Sequence, residues 1–296
     1  MPSGQIVRAL SGFYYVTLES GEVVECKARG VFKFEKKKTK PLVGDYVEIE
    51  IDQAGKGWIY QVKKRTTELI RPAIANVDQA IIVCALREPD FQQMPLDRLL
   101  VHAERENLRI VICLTKSDLV EDDTEIREIR HTYEQAGYVV LETSSKRPSG
   151  IDLVAKELQG RISVFAGQSG VGKSTLLNQI MPDQDLETGE VSRKIGRGKH
   201  TTRTVELIPL PDGGQVADTP GFSQLSFDGM EPEELSDLFA DFRPYQHDCR
   251  FRGCLHRKEP GCAVKEAVKD SKITQTRYHH YLLFLEEIEQ WQQRRY

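Results

Sequence analysis

The segment Gly167-Gln168-Ser169-Gly170-Val171-Gly172-Lys173-Ser174 constrains the fold of this 296-residue chain more than any other. It fits the pattern GxxxxGK[ST]. It directly follows an apolar run, Ile162 to Ala166, that reads as a buried strand, and directly precedes the apolar helical run Thr175 to Ile180. Glycines at this spacing let successive backbone N–H groups curl around an anion at a helix N-terminus, where the helix dipole adds to the attraction. The alternative, an ordinary glycine-rich strand-to-helix turn, requires neither the full motif nor both flanking elements. The loop from Gly167 to Thr175 is therefore expected to hold a nucleotide phosphate. Lys173 would pair with the β- and γ-phosphate oxygens, and the Ser174 hydroxyl would ligate magnesium.

The surrounding pattern extends this unit into a sheet. Val77 to Leu86 and Leu108 to Leu114 are almost continuous apolar strands, separated by a helically spaced run from Leu96 to Glu106. Helical residues Asp123 to Ala136, a strand from Tyr138 to Glu142 and a short helix from Ile151 continue the alternation. Buried strands separated by amphipathic helices predict a parallel sheet covered on both faces. Residues 1–70 read differently, as short strands over Gln5 to Leu10, Phe13 to Glu19, Val23 to Ala28, Tyr46 to Ile51 and Trp58 to Val62 with glycines between them. That pattern suggests a small β-barrel of the OB type. Beyond about residue 230 the chain turns polar and mainly helical, ending in a run from Tyr278 to Gln292. The expected architecture is multidomain: an all-β barrel at 1–70, an α/β P-loop domain at 71–228 and a helical domain at 229–296.

Further elements specify the nucleotide. Val216-Ala217-Asp218-Thr219-Pro220-Gly221 ends a short strand in DxxG. Asp218 is a candidate to hold magnesium through water and Gly221 N–H to meet the γ-phosphate. Between the two motifs runs Gly196-Arg197-Gly198-Lys199-His200-Thr201-Thr202-Arg203, whose hydroxyls could supply the second magnesium ligand. Thr202 is favoured, with Thr201 as the alternative, against a plain solvated basic loop. Phe222 stands where several GTPases carry a water-positioning glutamine, so His200 becomes the candidate to orient the attacking water. An exposed loop histidine without a role is the competing reading.

The base is read elsewhere. The strand ending at Leu114 runs into Thr115-Lys116-Ser117-Asp118, which resembles the NKxD element of GTPases. There the carboxylate accepts from the guanine N1 and N2 groups and the lysine stem covers the ring. Thr115 replaces the usual Asn, which leaves open the contact that residue makes with the phosphate loop. The strand ending at Glu142 runs into Thr143-Ser144-Ser145-Lys146, similar to the SAK element that meets guanine O6. Both fall at strand C-terminal ends, where open α/β sheets bind ligands. A kinase or other ATP-using enzyme would share only the phosphate loop and leave Asp118 unexplained; a nucleic-acid-binding module with a vestigial site would not need Lys173, Ser174 and Asp218.

Ordinary GTPases run phosphate loop, DxxG, NKxD, SAK. Here Lys116 and Asp118 come first, then Ser145, then Lys173, Thr202 and Asp218, so the domain is circularly permuted. With a barrel before it and a cysteine cluster after it, the whole chain resembles the bacterial ribosome-small-subunit-dependent GTPase A family. The resemblance implies an OB-fold N-terminal domain, a permuted GTPase domain that hydrolyses GTP to GDP, a C-terminal zinc domain and a role in late maturation of the small ribosomal subunit.

Of six cysteines, Cys26, Cys84 and Cys113 are scattered and read as structural, while Cys249, Cys254 and Cys262 crowd together. Cys249-x4-Cys254-x-His256-x5-Cys262 offers three thiolates and an imidazole, a set suited to one closed tetrahedral structural zinc. His247 is a rival ligand, and the resemblance favours His256. Arg250, Arg252, Arg257 and Lys258 interleave with Phe251, which in this setting suggests RNA phosphate contacts. The net charge of -4 conceals a basic segment, Lys27, Arg29, Lys33, Lys36, Lys37, Lys38 and Lys40. A lysine run is more often a solvated face, but on an OB barrel it also suits rRNA. With 39% hydrophobic and 29% charged residues, no apolar run long enough for a bilayer and no signal-peptide pattern at Met1-Pro2-Ser3-Gly4-Gln5, the chain is expected to be cytoplasmic without a membrane partner. A monomer is expected, though no residue pattern decides it.

Overall fold

The computed structural model describes residues 1–28, 40–70, 72–146, 149–182, 205–218 and 226–294. His200, Thr201, Thr202, Gly221, Phe222 and the basic residues Arg29 to Lys38 lie outside the described residues.

Strands β1 (Ser3–Leu10), β2 (Phe13–Leu18), β3 (Val23–Ala28), β4 (Tyr46–Ile51) and β5 (Gly57–Val62) close on themselves in the order β1-β2-β3-β5-β4 with β4 returning to β1. Strict alternation drives the closure: Val24 and Cys26 of β3 point inward while Val23, Glu25 and Lys27 face out. Ile6, Val16, Val47, Ile49 and Ile59 complete an interior with no solvent exposure. The barrel read from the sequence is therefore present, with a parallel β3–β5 pair of the kind an OB barrel requires.

A short hairpin, β6 (Glu68–Leu69) and β7 (Ile74–Ala75), leads into the α/β domain. Its elements are β8 (Gln79–Ala85), α1 (Gln93–Arg105), β9 (Arg109–Thr115), α2 (Asp123–Gln135), β10 (Val139–Glu142), α3 (Ile151–Leu158), β11 (Ile162–Ala166), α4 (Lys173–Ile180), β12 (Glu206–Pro209) and β13 (Gln215–Asp218). Parallel pairing runs β10-β9-β8-β11-β13, as the buried apolar strands predict, and β12 adds antiparallel to β13. Two features depart from the sequence reading. The helix after the phosphate loop begins at Lys173, not Thr175, so Lys173 and Ser174 already belong to its first turn. Strand β12 also pairs with β1 of the barrel at Arg8↔Glu206, which joins barrel and nucleotide domain into one 11-stranded sheet.

The C-terminal part comprises α5 (Pro232–Asp237), α6 (Arg243–Gln246), α7 (Ala263–Lys269) and α8 (Gln275–Arg294). Its core gathers Phe227, Phe239, Phe242, Tyr281, Phe284 and Ile288 and includes Val101 of α1. Charge also enters this junction. Arg277, 2% exposed, makes a two-bond fork to Asp241 (2.8 and 2.7 Å) and a 2.5 Å bond to Asp97 on α1. Asp97 also accepts from Tyr133 of α2 at 2.9 Å and meets His280 Nδ1 at 2.6 Å. Among the described residues no helix is long and apolar enough to cross a membrane.

Candidate functional site

The site lies along the C-terminal edge of the parallel sheet, where β8, β9, β10, β11 and β13 all end. Gly167 opens the phosphate loop after β11 at φ +146°, and a Cβ there would stand 2.3 Å from the Val83 carbonyl of β8. Only glycine lets the loop leave the sheet along this path. Gly170 and Gly172 also have positive φ, and the chain then enters α4, whose first N–H groups have no partner within the helix. Lys173 Nζ folds over the loop, donating to the carbonyls of Gly167 (2.9 Å) and Gln168 (2.6 Å). Burial holds its ammonium below the ordinary lysine value. Ser174 is buried at the start of the helix. The register Val164↔Ala217 sets Asp218, the last residue of β13, beside the strand that delivers the loop.

The base-reading candidates converge on the same edge. Thr115 Oγ1 donates to the Val171 carbonyl at 2.6 Å, so the residue that replaces Asn does reach the phosphate loop. Lys116, in the left-handed region at φ 58°, sends Nζ to the Gly170 carbonyl (3.0 Å) and to the Glu88 carbonyl. Asp118 Oδ1 accepts from the Ser144 hydroxyl at 2.5 Å, and Lys146 Nζ lies 3.6 Å from Oδ2. Those contacts, the Ser144 hydrogen bond first, hold the Asp118 carboxyl below the usual aspartate range. The Ser145 carbonyl accepts from Gln179 of α4 at 3.3 Å. Gly150 shapes this loop: at φ +74° its missing Cβ would fall 1.9 Å from the Glu142 carbonyl. Thr115 and Lys116 thus reach the phosphate loop, Asp118, Ser144 and Lys146 meet one another, and Ser145 meets α4, across chain separations as long as the 56 residues between Thr115 and Val171. Glu88 was not visible as a participant from its residue type, since it takes part through its backbone; its place just beyond the end of β8 was the available signal.

A second centre lies in the C-terminal part. The ligand atoms of Cys249, Cys254, His256 and Cys262 all fall within 4.8 Å of one another. Cys249 Sγ is 3.8 Å from Cys262 Sγ and 3.5 Å from His256 Nδ1, which is 3.3 Å from Cys262 Sγ. A zinc tetrahedron with bonds of about 2.3 Å to sulfur and about 2.05 Å to nitrogen separates its sulfurs by about 3.8 Å and sulfur from nitrogen by about 3.6 Å. The four residues fit that ion, and the sulfurs stand far beyond the roughly 2.05 Å of a disulfide. Burial holds His256 below the ordinary histidine value, which favours the neutral imidazole that a metal needs. Two tyrosines of α8 fasten the loop: Tyr278 donates to the His256 carbonyl (2.6 Å) and Tyr281 to the Leu255 carbonyl (3.0 Å). Of the nearby basic residues, Arg257 is already forked onto Glu289, at 3.1 and 2.5 Å.

Comparison with known proteins agrees with this arrangement. The RsgA GTPase profile matches residues 62–228 and the RsgA N-terminal domain profile residues 3–59. The chain belongs to the RsgA GTPase family. It is therefore a GTP hydrolase with its guanine-motif strands ahead of its phosphate loop. Small ribosomal subunit biogenesis GTPase RsgA of Bacillus subtilis (strain 168) is 51% identical over 294 residues, 97% of this chain and 98% of that protein. The protein of that name from Alkaliphilus metalliredigens is 50% identical over 290 residues, 97% of this chain and 98% of its own length. Among solved structures, YloQ, described as a circularly permuted GTPase, superposes with TM-score 0.83 at 45% identity, covering 98% of this chain and 96% of its own. YjeQ from Thermotoga maritima gives TM-score 0.86 at 38% identity, with 97% and 98% covered.

Proposed function

We propose that this RsgA GTPase acts in late maturation of the small ribosomal subunit, binding the subunit and its rRNA in one nucleotide state and leaving in the other. The observation that carries the reading is the convergence of Lys173, Lys116 and Asp118 on one sheet edge in a chain that also bears an OB barrel and a Cys3His centre. We assign 1–70 to the RNA-binding barrel, 71–228 to the permuted GTPase domain and 229–296 to the zinc domain. The protein works as a cytoplasmic monomer with no membrane partner.

Within the site, the loop Gly167, Gln168, Ser169, Gly170, Val171, Gly172, Lys173, Ser174 and Thr175 binds the phosphates. Lys173 exchanges its two carbonyl partners for phosphate oxygens. Asp118 accepts the guanine N1 and N2 hydrogens, Lys116 covers the ring, and the Ser144-Ser145-Lys146 backbone meets O6. Ser174, Thr202 and Asp218 hold magnesium, which when bound neutralises charge developing on the β- and γ-phosphates. Gly221 meets the γ-phosphate, and His200 orients the attacking water when the partner is bound. Cys249, Cys254, His256 and Cys262 hold one structural zinc.

The subunit stimulates hydrolysis, and nucleotide state sets affinity. Strand β13 ends at Asp218, and Phe227 is buried against His102 of α1 and Phe284 of α8. Asp218 in the nucleotide domain and Phe227 at the zinc-domain junction thus lie nine residues apart in the chain. Segments held by γ-phosphate and magnesium relax after hydrolysis, so the GTP form presents the binding geometry. A tenfold preference needs only about 1.4 kcal/mol of differential binding. The test is subunit affinity with GDP and with a non-hydrolysable GTP analogue at one salt concentration, because phosphate contacts are salt-dependent. Equal affinities would defeat the switch. A His200→Ala variant that keeps full subunit-stimulated turnover would remove that residue from the mechanism.

A further inference from the structure

Lys116 owes its position to an element outside the nucleotide motifs. Its ammonium is held at two points, the Gly170 carbonyl of the phosphate loop at 3.0 Å and the Glu88 carbonyl of the loop that follows β8. A lysine side chain is long and freely rotating, so where those two acceptors stand decides where its stem lies. The phosphate loop fixes the first. The second sits on a non-glycine residue at φ 52°, a conformation that persists only where neighbouring contacts enforce it.

The residue before it, Arg87, is itself anchored. Arg87 forks onto Glu125 with bonds of 2.9 and 2.5 Å, and its Nη1 also donates to the Leu86 carbonyl at 2.8 Å. Glu125 stands in the first turn of α2, whose start is fixed by Asp122 accepting from Thr124 N at 2.9 Å. Helix α2 follows the Lys116–Asp118 segment after only a few residues. The ion pair thus closes a ring: from β8 through Arg87 to Glu125, back along the chain to Lys116, and from its ammonium to the Glu88 carbonyl. We propose that Arg87 and Glu125 are positioning residues for guanine nucleotide binding, their ion pair holding the Glu88 carbonyl where it fixes the Lys116 ammonium. This rests on the reading of Lys116 and Asp118 as the guanine site. Neither side chain is among the residues read as the nucleotide site. Both are part-exposed, at 34% and 42%, so the contribution is moderate and salt-sensitive.

The test is the release rate of a fluorescent GDP analogue from the full-length, zinc-loaded protein. Arg87→Met and Glu125→Gln should each speed release about two- to fivefold. The double variant with the charges exchanged, R87E/E125R, should recover most of the loss, which a merely structural role for either side chain would not produce. In a Lys116→Met background, Arg87→Met should add nothing. Wild-type release from Arg87→Met, or the same acceleration with and without Lys116, overturns the proposal. If Arg87→Met does not fold, Glu125→Gln is measured in the same two backgrounds, where wild-type release or an acceleration independent of Lys116 again overturns it. Release that ignores Lys116→Met itself refutes the guanine-site reading and this proposal together, whereas release sensitive to Lys116 but not to Arg87 refutes the pairing alone.

Discussion

Thr115 Oγ1 donates a 2.6 Å hydrogen bond to the Val171 carbonyl, tying the end of β9 to the middle of the phosphate loop. Both atoms are buried, so the bond fixes the loop's path rather than decorating it. An Asn at this position would reach the loop through an amide; Thr reaches it with a shorter arm. Thr115→Val should lose about 1 kcal/mol of this support, lowering GDP affinity about fivefold, while Thr115→Ser stays within about twofold. Titration calorimetry with GDP distinguishes the two. Equal affinities for Val and wild type would show that the loop does not depend on this bond.

Asp118 yields a prediction in pH. Its carboxyl is held below the ordinary aspartate range, chiefly by the Ser144 hydroxyl. A lowered carboxyl pKa means that the contribution of the charged form is complete above the ordinary range and is lost only as pH falls through the lowered value. Ser144→Ala should move the Asp118 titration upward, towards the ordinary value of about 3.9. Carboxyl carbon shifts followed by NMR report this directly, and an unmoved titration would contradict the assignment of cause. Asp118→Asn should shift base preference from guanine to xanthine, because xanthine presents an oxygen where guanine presents its 2-amino group. Competition between GDP and XDP measures it, and a variant that still prefers GDP would argue against Asp118 as the base reader.

The phosphate loop was legible because strand, glycines, lysine and helix are contiguous. The barrel was legible because inward and outward residues alternate strand by strand, as Val24 and Cys26 do against Glu25 and Lys27. The cysteine cluster was legible because its four candidate ligands fall within fourteen residues. What escaped depends on partners far apart in the chain. Asp97 reads as a solvent-facing helix residue until Arg277, 180 positions later, is seen to meet it. Strand β12 is four residues long, and its pairing with β1 leaves no local trace. The Glu88 contact uses a carbonyl, which every residue has.

The metal centre should carry one zinc per chain and no disulfide among Cys249, Cys254 and Cys262. Because Tyr278 and Tyr281 of α8 are bonded to the ligand loop, chelation should loosen that helix as well as the loop. Metal analysis of chelator-free protein and hydrogen exchange over residues 249–294 check this. Absence of zinc, or exchange unchanged by chelation, would exclude a structural metal.

The buried junction predicts a large stability effect. Arg277→Met would leave Asp97 and Asp241 without their shared guanidinium in a place water cannot reach, and breaking such a pair costs about 3–5 kcal/mol. Denaturant unfolding should show a loss of that size. A loss below about 1 kcal/mol would mean that the domains are held by their apolar contacts alone.

The most direct test of the proposed function is GTP turnover by the purified protein with and without purified small ribosomal subunits, Lys173→Ala serving as the control that lacks the cation proposed for the γ-phosphate. The expected result is slow hydrolysis alone, marked acceleration by the subunit, GTP used in preference to ATP, and no turnover by the variant. Turnover unchanged by small subunits, or equal use of ATP and GTP, would contradict it.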